Sequence, residues 1–237
     1  MRVFEAIILA GGLGTRLREL VSDVPKPMAV VAGNPFVLYL MRYLRHYGIR
    51  RIVLSVGYKA EVIEDYFGSS FEGLTLLYAK ETVRLGTGGG IRLAMEMCRD
   101  KDVLVVNGDS FFDVNLLLLW GHHSATGADA TLALREVADV SRYGSVDLDG
   151  TRIARFSEKS DAREGSGLIN GGLYVLDRAM FLKHTPADAP FSAETDFFAP
   201  NCRIWNFQAI VSGGYFIDIG IPEDYHRAQN EFADFPY

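Results

Sequence analysis

Cysteine is scarce in this chain: 237 residues hold only Cys98 and Cys202. Neither belongs to a Cys-x-x-Cys pair, which excludes a disulfide framework and a cysteine-rich zinc site and suits a reducing compartment. Positive charge is not in excess either. Lysine and arginine together number 24 against 30 acidic residues, a net charge of −6, so the broad basic field of a polynucleotide binder is missing. Local basic residues still suffice for the phosphates of a nucleotide. No apolar run approaches the ~18 residues of a membrane span. The run Ala6–Ala10 behind Glu5 is too brief for a signal-peptide core. A cytoplasmic protein with neither membrane nor nucleic-acid partner is expected. Linkers, low-complexity tracts and internal repeats are also lacking.

Two familiar phosphate-binding patterns are absent as well. G-x-G-x-x-G fails because the third glycine position after Gly12 and Gly14 is Leu17, which argues against a dinucleotide-dependent oxidoreductase. No G-x-x-x-x-G-K-[ST] loop occurs. Histidine offers no ready ligand set. His122 and His123 are neighbours on an expected helix, so their side chains diverge by about 100°, while His46, His184 and His226 stand alone. All five read as structural or surface residues.

What is present is an ordinary globular composition, 49% hydrophobic and 23% charged. A chain of this size buries roughly 70–75% of its unfolded surface and needs no staples. In the first half, apolar β-branched runs alternate with helical patterns. Strands are expected at Ala6–Ala10, Arg51–Val56, Leu74–Ala79 and Val103–Val106. Helices are expected at Pro35–Tyr47, closed by Gly48, at Ala60–Phe67, closed by Gly68, and at Thr87–Cys98. That rhythm predicts an α/β fold, a three-layer α/β/α sandwich on a mainly parallel mixed sheet. In the second half, strands at Ala130–Glu136, Gly144–Asp147, Arg152–Ser157 and Leu168–Leu176 suggest an antiparallel extension of the same sheet. Helices follow at Arg178–Lys183, Ala193–Phe198 and Pro222–Phe232. One domain, residues 1–237, is the simplest reading, with residues 1–110 forming a nucleotide-binding half and 111–237 a sugar-phosphate-binding half.

The chemistry-bearing residues sit at strand ends. Leu9-Ala-Gly-Gly-Leu-Gly-Thr-Arg-Leu17 follows the first strand directly. Its glycines let backbone amides approach an anion, and Arg16 adds a charge-assisted contact. Pro25-Lys26-Pro27 fixes a lysine between two residues that restrict its backbone. Asp109 follows the strand Val103–Val106, where ligands gather in open α/β sheets. Asp218 follows a second apolar stretch, Tyr215-Phe-Ile217. Magnesium is commonly held by one or two carboxylates together with substrate phosphates and water, so these two aspartates suffice for Mg2+. Glu158-Lys159 offers a cation for a sugar phosphate. Asn170-Gly-Gly172 offers an amide and open backbone to sugar hydroxyls, or else a strand bulge.

In chain order, Gly11-Gly-x-Gly-Thr-Arg-Leu17, Pro25-Lys-Pro27, Asn107-Gly-Asp-Ser110, Phe156-x-Glu-Lys159, Asn170-Gly-Gly172 and Phe216-Ile-Asp-Ile-Gly220 resemble the motifs of the sugar-1-phosphate nucleotidyltransferases, or sugar-nucleotide pyrophosphorylases. The resemblance spans nearly the whole chain. It implies a Rossmann-like, GT-A-like nucleotidyltransferase fold, and an enzyme that joins a nucleoside triphosphate to a sugar 1-phosphate and releases pyrophosphate. It implies that Arg16 and Lys26 bind the triphosphate, that Arg16 stabilises transition-state charge, and that Asp109 and Asp218 hold Mg2+. Leu9, Ala10, Gly11, Gly12, Gly14 and Thr15 would surround the nucleotide, with Asn107 and Gly108 beside them. Gly144 and Glu194, the latter in Phe191-Ser-Ala-Glu-Thr-Asp196, join Glu158, Lys159, Asn170 and Gly171 as sugar-side candidates. Ser55-Val-Gly-Tyr-Lys59, Leu85-Gly-Thr-Gly-Gly89, Ser141-Arg-Tyr-Gly144 and Gly220-Ile-Pro-Glu-Asp-Tyr225 resemble bacterial guanylyltransferases of D-glycero-α-D-manno-heptose 1-phosphate, whose product serves capsule or surface-layer glycan synthesis. The chain departs from the family pattern at Val30-Val31, in place of an apolar-proline step. It departs again at Ala193, where a larger residue is common.

Base choice is expected to rest on Glu81 and on the loop Leu85–Gly90, including Gly86 and Thr87. Guanine presents two N–H donors side by side, and an ionised carboxylate is acceptor-only. GTP is therefore favoured, with UTP, another sugar 1-phosphate, or a non-catalytic nucleotide-sugar sensor as alternatives. A monomer or homodimer is expected. Ending at Tyr237, the chain leaves no room for the left-handed β-helix domain of some family members, so regulation through such a domain is not expected.

Overall fold

The computed structural model describes residues 5–12, 17, 21, 23–141, 143–157, 165–187 and 189–237. The chain opens with β1 (Glu5–Leu9), a short 3-10 turn (Lys26–Met28) and a small hairpin of β2 (Val30–Val31) and β3 (Asn34–Pro35). Then come α1 (Phe36–His46), β4 (Arg51–Val56), α2 (Ala60–Phe67), β5 (Ser70–Phe71), β6 (Leu74–Lys80), α3 (Gly86–Met97) and β7 (Asp102–Asn107). The second half holds β8 (Ser110–Phe112), α4 (Leu116–Thr126), β9 (Ala130–Val137), β10 (Ser145–Asp149), β11 (Arg152–Ser157) and β12 (Gly167–Asp177). It closes with α5 (Arg178–His184), a π-helical turn (Ala193–Phe198) leading into α6 (Ala199–Asn201), β13 (Phe207–Val211), β14 (Phe216–Asp218) and α7 (Pro222–Glu231).

Ten strands form one sheet in the order β10-β11-β13-β9-β12-β7-β1-β4-β6-β5. β7, β1, β4 and β6 run parallel, with Leu9 beside Ser55 on one side and Asn107 on the other. Such strands are covered on both faces and so read as continuous apolar runs. Successive residues feed opposite cores. Ala6 and Ile8 join one core with Phe36, Leu40, Ile63, Leu119 and Ala228. Ile7 joins the other with Ile91, Met95, Phe181, Phe197 and Phe198. Helices α1, α2, α4 and α7 therefore cover one face, and α3, α5 and the π turn the other, which gives the three layers.

The second half extends the sheet. β12 runs antiparallel to both β7 and β9, and β10 antiparallel to β11. One strand departs from the expected antiparallel extension: β13 lies parallel to β9, Phe207 opposite Ala130. β12 ends and β13 begins beside Ala130, so the helical segment between them leaves and re-enters the sheet at the same end, passing over β9. β8 and β14 make a separate two-stranded antiparallel ribbon in which Ser110 faces Asp218. No helix among the described residues is long and apolar enough to cross a membrane.

Candidate active site

The ends of β1 and β7 are tied together by a hydrogen bond from the Gly108 amide to the Leu9 carbonyl at 2.9 Å. Any side chain at 108 would run into that carbonyl, so the turn leading to Asp109 needs glycine. The β8–β14 ribbon then brings in the second carboxylate, with the Ile219 amide donating to the Asp109 carbonyl at 3.0 Å. Lys26, on its turn between two prolines, completes the group. Its ammonium lies 2.6 Å from Asp109 Oδ2 and 3.5 Å from Asp218 Oδ1, on a side chain only 9% exposed. Asp218 Oδ1 also accepts the Gly220 amide at 2.7 Å. A methyl group on Gly220 would stand 2.8 Å from the ammonium, so this glycine leaves room for the cation. Two carboxylates far apart in sequence thus converge on one positive charge.

That cluster opens onto a cavity of about 590 Å³. Leu9, Gly11, Gly12, Asn107 and Gly108 line it at the strand ends, with Lys26, Asp109, Glu81, Gly86 and Thr87. Ala10 is not on the wall; it is buried, and its amide donates to the Ser55 carbonyl at 2.7 Å. Gly14, Thr15 and Arg16 lie outside the described residues. The wall also contains Pro27, Ser55, Arg84, Pro190 and Gly220, which the sequence reading did not single out as site residues. Pro27, Ser55 and Gly220 fall inside quoted motifs, so a signal existed. Arg84 and Pro190 carry none.

Glu81 follows β6, its amide held by the Val56 carbonyl at 2.8 Å. Oε2 accepts the Leu85 amide at 3.1 Å. Oε1 is flanked by Gly11 and Gly90, where a methyl group would lie 3.0 and 2.8 Å away respectively. The carboxylate therefore fills a slot between the first glycine turn and α3. The segment Leu85–Gly90, named as a loop that runs into the helix expected from Thr87, is helical from Gly86 onward: Gly86–Gly90 form the first turns of α3. These glycines answer to tertiary packing. At Gly86 the backbone has φ +73° and a side chain would approach the Phe191 carbonyl to 2.5 Å; at Gly88 one would overlap the Phe191 ring.

The sugar-side candidates are more dispersed. Asn170–Gly172 forms an irregularity in the β12–β9 pairing. Asn170 Oδ1 accepts the Gly172 amide at 3.1 Å, and Gly172, at φ +74°, sits against Asn107 and Ser110. Gly171 is packed against Phe112. The bulge thus adjoins the Asn107 end of the cavity without lining it. Gly144, at φ +80°, is buried in a turn closed on the Val140 carbonyl and is also off the wall. Glu158 and Lys159 lie outside the described residues. Glu194, at the start of the π turn, is joined to Thr87 on the cavity wall at 3.1 Å. None of the histidines lines the cavity. His123 is buried, hydrogen-bonded through Nδ1 to Thr131 at 2.9 Å, and burial pushes its pKa down.

The nucleotidyl transferase family model matches residues 5–234. The chain is 42% identical to D-glycero-alpha-D-manno-heptose 1-phosphate guanylyltransferase of Aneurinibacillus thermoaerophilus, over 98% of this chain and 99% of that relative. It is 40% identical to the protein of the same name from Campylobacter jejuni, over 94% and 97%. Among solved structures, HddC from Yersinia pseudotuberculosis superposes with a TM-score of 0.84 at 37% identity, covering 97% of this chain and all of that one. The same protein complexed with GMP-PN gives 0.82 at 36% identity.

Proposed function

Since the chain belongs to the nucleotidyl transferase family, we propose that it transfers a guanylyl group from GTP to D-glycero-α-D-manno-heptose 1-phosphate, giving GDP-heptose and pyrophosphate. The observation that carries this reading is the convergence of Asp109 and Asp218 on Lys26, with Lys26 and Asp109 on the wall of a cavity built on strand ends and Asp218 just behind it. The relatives named for this reaction, and the GMP-PN complex of HddC, support the choice of base and sugar.

The nucleophile is a phosphate oxygen of the sugar 1-phosphate. A phosphate monoester loses its second proton near pH ~6 and is already anionic at neutral pH, so no general base is required. The new bond joins that oxygen to the α-phosphorus of GTP. The bond from the α-phosphorus to the bridging oxygen breaks, and pyrophosphate leaves with the electron pair. Catalysis then consists of in-line positioning and neutralising charge. Lys26, with Arg16, serves the triphosphate. Asp109 and Asp218 fit a divalent ion, because their oxygens already share one cation. Among the described residues no group of three or more His, Cys, Asp or Glu could hold a metal alone, so phosphates and water would complete its shell, as Mg2+ favours. Bound there, Mg2+ would offset charge on the triphosphate. Glu81 reads guanine N1–H and N2–H as an acceptor pair. Glu194, joined to Thr87 on the wall, and Asn170, in the bulge beside Asn107, are assigned to the sugar, with Gly144 and Gly171 shaping the backbone behind them and Glu158 and Lys159 assigned to its phosphate. The chain acts as one domain, nucleotide on the 1–110 side and sugar phosphate on the 111–237 side. A cytoplasmic location accords with its two buried free cysteines.

A second reading, mannose 1-phosphate as acceptor, is supported by 36% identity to a mannose-1-phosphate guanylyltransferase of Mycobacterium tuberculosis over 97% of this chain. One experiment separates them. Pyrophosphate release is measured with four nucleoside triphosphates against a panel of sugar 1-phosphates in the presence of Mg2+. Highest kcat/KM with GTP and heptose 1-phosphate is expected, and Asp109→Ala is expected to abolish it. Turnover by Asp109→Ala at the parent rate removes the metal role; silence with every pair removes the enzyme.

A further inference from the structure

Thr87 belongs to the nucleotide wall by position, yet its hydroxyl is turned to the other half of the molecule. Oγ1 donates to Glu194 Oε2 at 3.1 Å and accepts the Ala193 amide at 2.9 Å. A threonine hydroxyl has one proton to give, and here the carboxylate takes it. Ser192 Oγ donates to the same Oε2 at 3.1 Å. Among the described residues no hydrogen bond reaches Oε1. Backbone contacts hold the same two segments together. The Phe191 amide donates to the Leu85 carbonyl at 2.9 Å, and the Gly88 amide to the Phe191 carbonyl at 3.0 Å. The missing side chains of Gly86 and Gly88 make the notch into which Phe191 fits. The first turn of α3 and residues 191–194 are thus one clipped unit.

We infer that Thr87 is a positioning residue for the acceptor sugar: it holds Glu194 through Oε2 so that Oε1 is presented to a sugar hydroxyl. This rests on the proposed role of Glu194 as a sugar ligand. The hydroxyl of Thr87 then serves the sugar carboxylate and not the nucleotide. The clip also couples the floor beside the base, on α3, to the sugar carboxylate on the π turn through the Thr87–Glu194 and Gly88–Phe191 hydrogen bonds. A sugar hydroxyl is a directional donor, and a carboxylate free to rotate would meet it less often in the correct orientation.

The test is steady-state kinetics on Thr87→Val, Thr87→Ser, Glu194→Gln and the Thr87→Val/Glu194→Gln double variant, with KM measured separately for GTP and the sugar 1-phosphate. Valine keeps the shape of threonine and removes both hydrogen bonds; serine restores them. Thr87→Val is expected to raise the sugar-phosphate KM about tenfold, the scale of one hydrogen bond to a charged group, with the GTP KM changed by less than about twofold. Thr87→Ser returns the parent value, and in the Glu194→Gln background Thr87→Val adds little. If Glu194→Gln raises the sugar-phosphate KM but Thr87→Val does not, the clip is wrong while the Glu194 reading stands. A rise in both KM values with Thr87→Val also overturns it. If Glu194→Gln itself leaves the sugar-phosphate KM unchanged, the Glu194 reading falls and takes the clip with it. Unfolding midpoints of Thr87→Val and Thr87→Ser, compared together, keep a folding defect from passing as a positioning effect.

Discussion

Gly88→Ala puts the notch itself under strain. In an unconstrained helix interior, replacing glycine by alanine stabilises by up to about 1 kcal/mol. Gly88 stands in the first turns of α3 with no left-handed φ to forbid a side chain. The added methyl, however, would lie 2.9 Å from Phe191 Cζ and closer still to one edge of the ring. Phe191 is 8% exposed and packed with Phe181 in the core beneath α3, so it has little room to turn aside. Forcing a carbon into a packed core costs about 1–3 kcal/mol. Expelling the ring instead forfeits about 1.5–3 kcal/mol of burial. Set against that helix gain, either route leaves a net loss of up to about 2 kcal/mol. For a domain of this size the midpoint falls by about 2–4 °C per kcal/mol. Gly121→Ala is the control. Gly121 lies inside α4, is exposed, and has nothing within 4 Å of the point where a Cβ would stand, so the same substitution is expected to stabilise by about 0.5–1 kcal/mol. Thermal unfolding by circular dichroism reads both. If Gly88→Ala melts at or above the parent temperature, Phe191 does not need the notch and the packing account of the α3 glycines is refuted.

Two further substitutions test buried polar groups. The Tyr174 hydroxyl is fully buried and has no hydrogen-bond partner among the described residues, and burial holds its pKa well above the ordinary range. An unsatisfied buried hydroxyl costs about 1–3 kcal/mol, so Tyr174→Phe is expected to be neutral or to stabilise by about 1 kcal/mol; a loss above about 1 kcal/mol in urea unfolding would reveal a partner. His123 has its pKa pushed down by burial, against the opposing pull of Asp102. The unfolded chain therefore takes up a proton that the folded one refuses. Its contribution is complete above the unfolded value of about 6.5 and is lost as pH falls towards the folded value. Urea midpoints between about pH 7.5 and 5.5 are expected to fall more steeply for the parent than for His123→Gln, and parallel profiles would show that His123 carries its proton in the fold.

The strands and helices of the first half were legible because each is a long apolar run or a clear helical period bounded by glycine. The elements missed or left without bounds are those whose reasons are not local. α4 is expected from sequence only as a helix around His122 and His123; it begins Leu116-Leu-Leu-Leu-Trp120, apolar on every side, with Leu117 and Leu118 exposed, so its start gives no amphipathic face to read. β8 and β14 have three residues each, too few for periodicity, although their pairing is what draws Asp218 beside Asp109. The helix from Thr87 was legible, but not why its first turns are glycine, a poor helix former. For Gly86 and Gly88 the cause is Phe191, more than a hundred positions later, and no window on the sequence contains both. Arg84, exposed on the cavity wall, belongs to no motif; only the fold brings it there.

The position of the cavity follows from the order of the strands more than from any single motif. From β1 the chain moves to β4 and then β6 on one side, and returns across β1 to place β7 on the other. Connections leaving in opposite directions open a crevice at the carboxyl ends of the strands between them, and ligands in open α/β sheets lie in such crevices. Leu9, Ser55 and Asn107, adjacent in register at the ends of β1, β4 and β7, all line this cavity. Because β12 is antiparallel to β7, its amino-terminal half with the Asn170–Gly172 bulge reaches the same edge. β9, also antiparallel to β12, has its carboxyl end there too. Strand direction therefore brings the Asn170–Gly172 bulge of the second half beside the first half's crevice, and in the function proposed above the division of the site between two substrates follows from joining an antiparallel extension to a parallel sheet at β7.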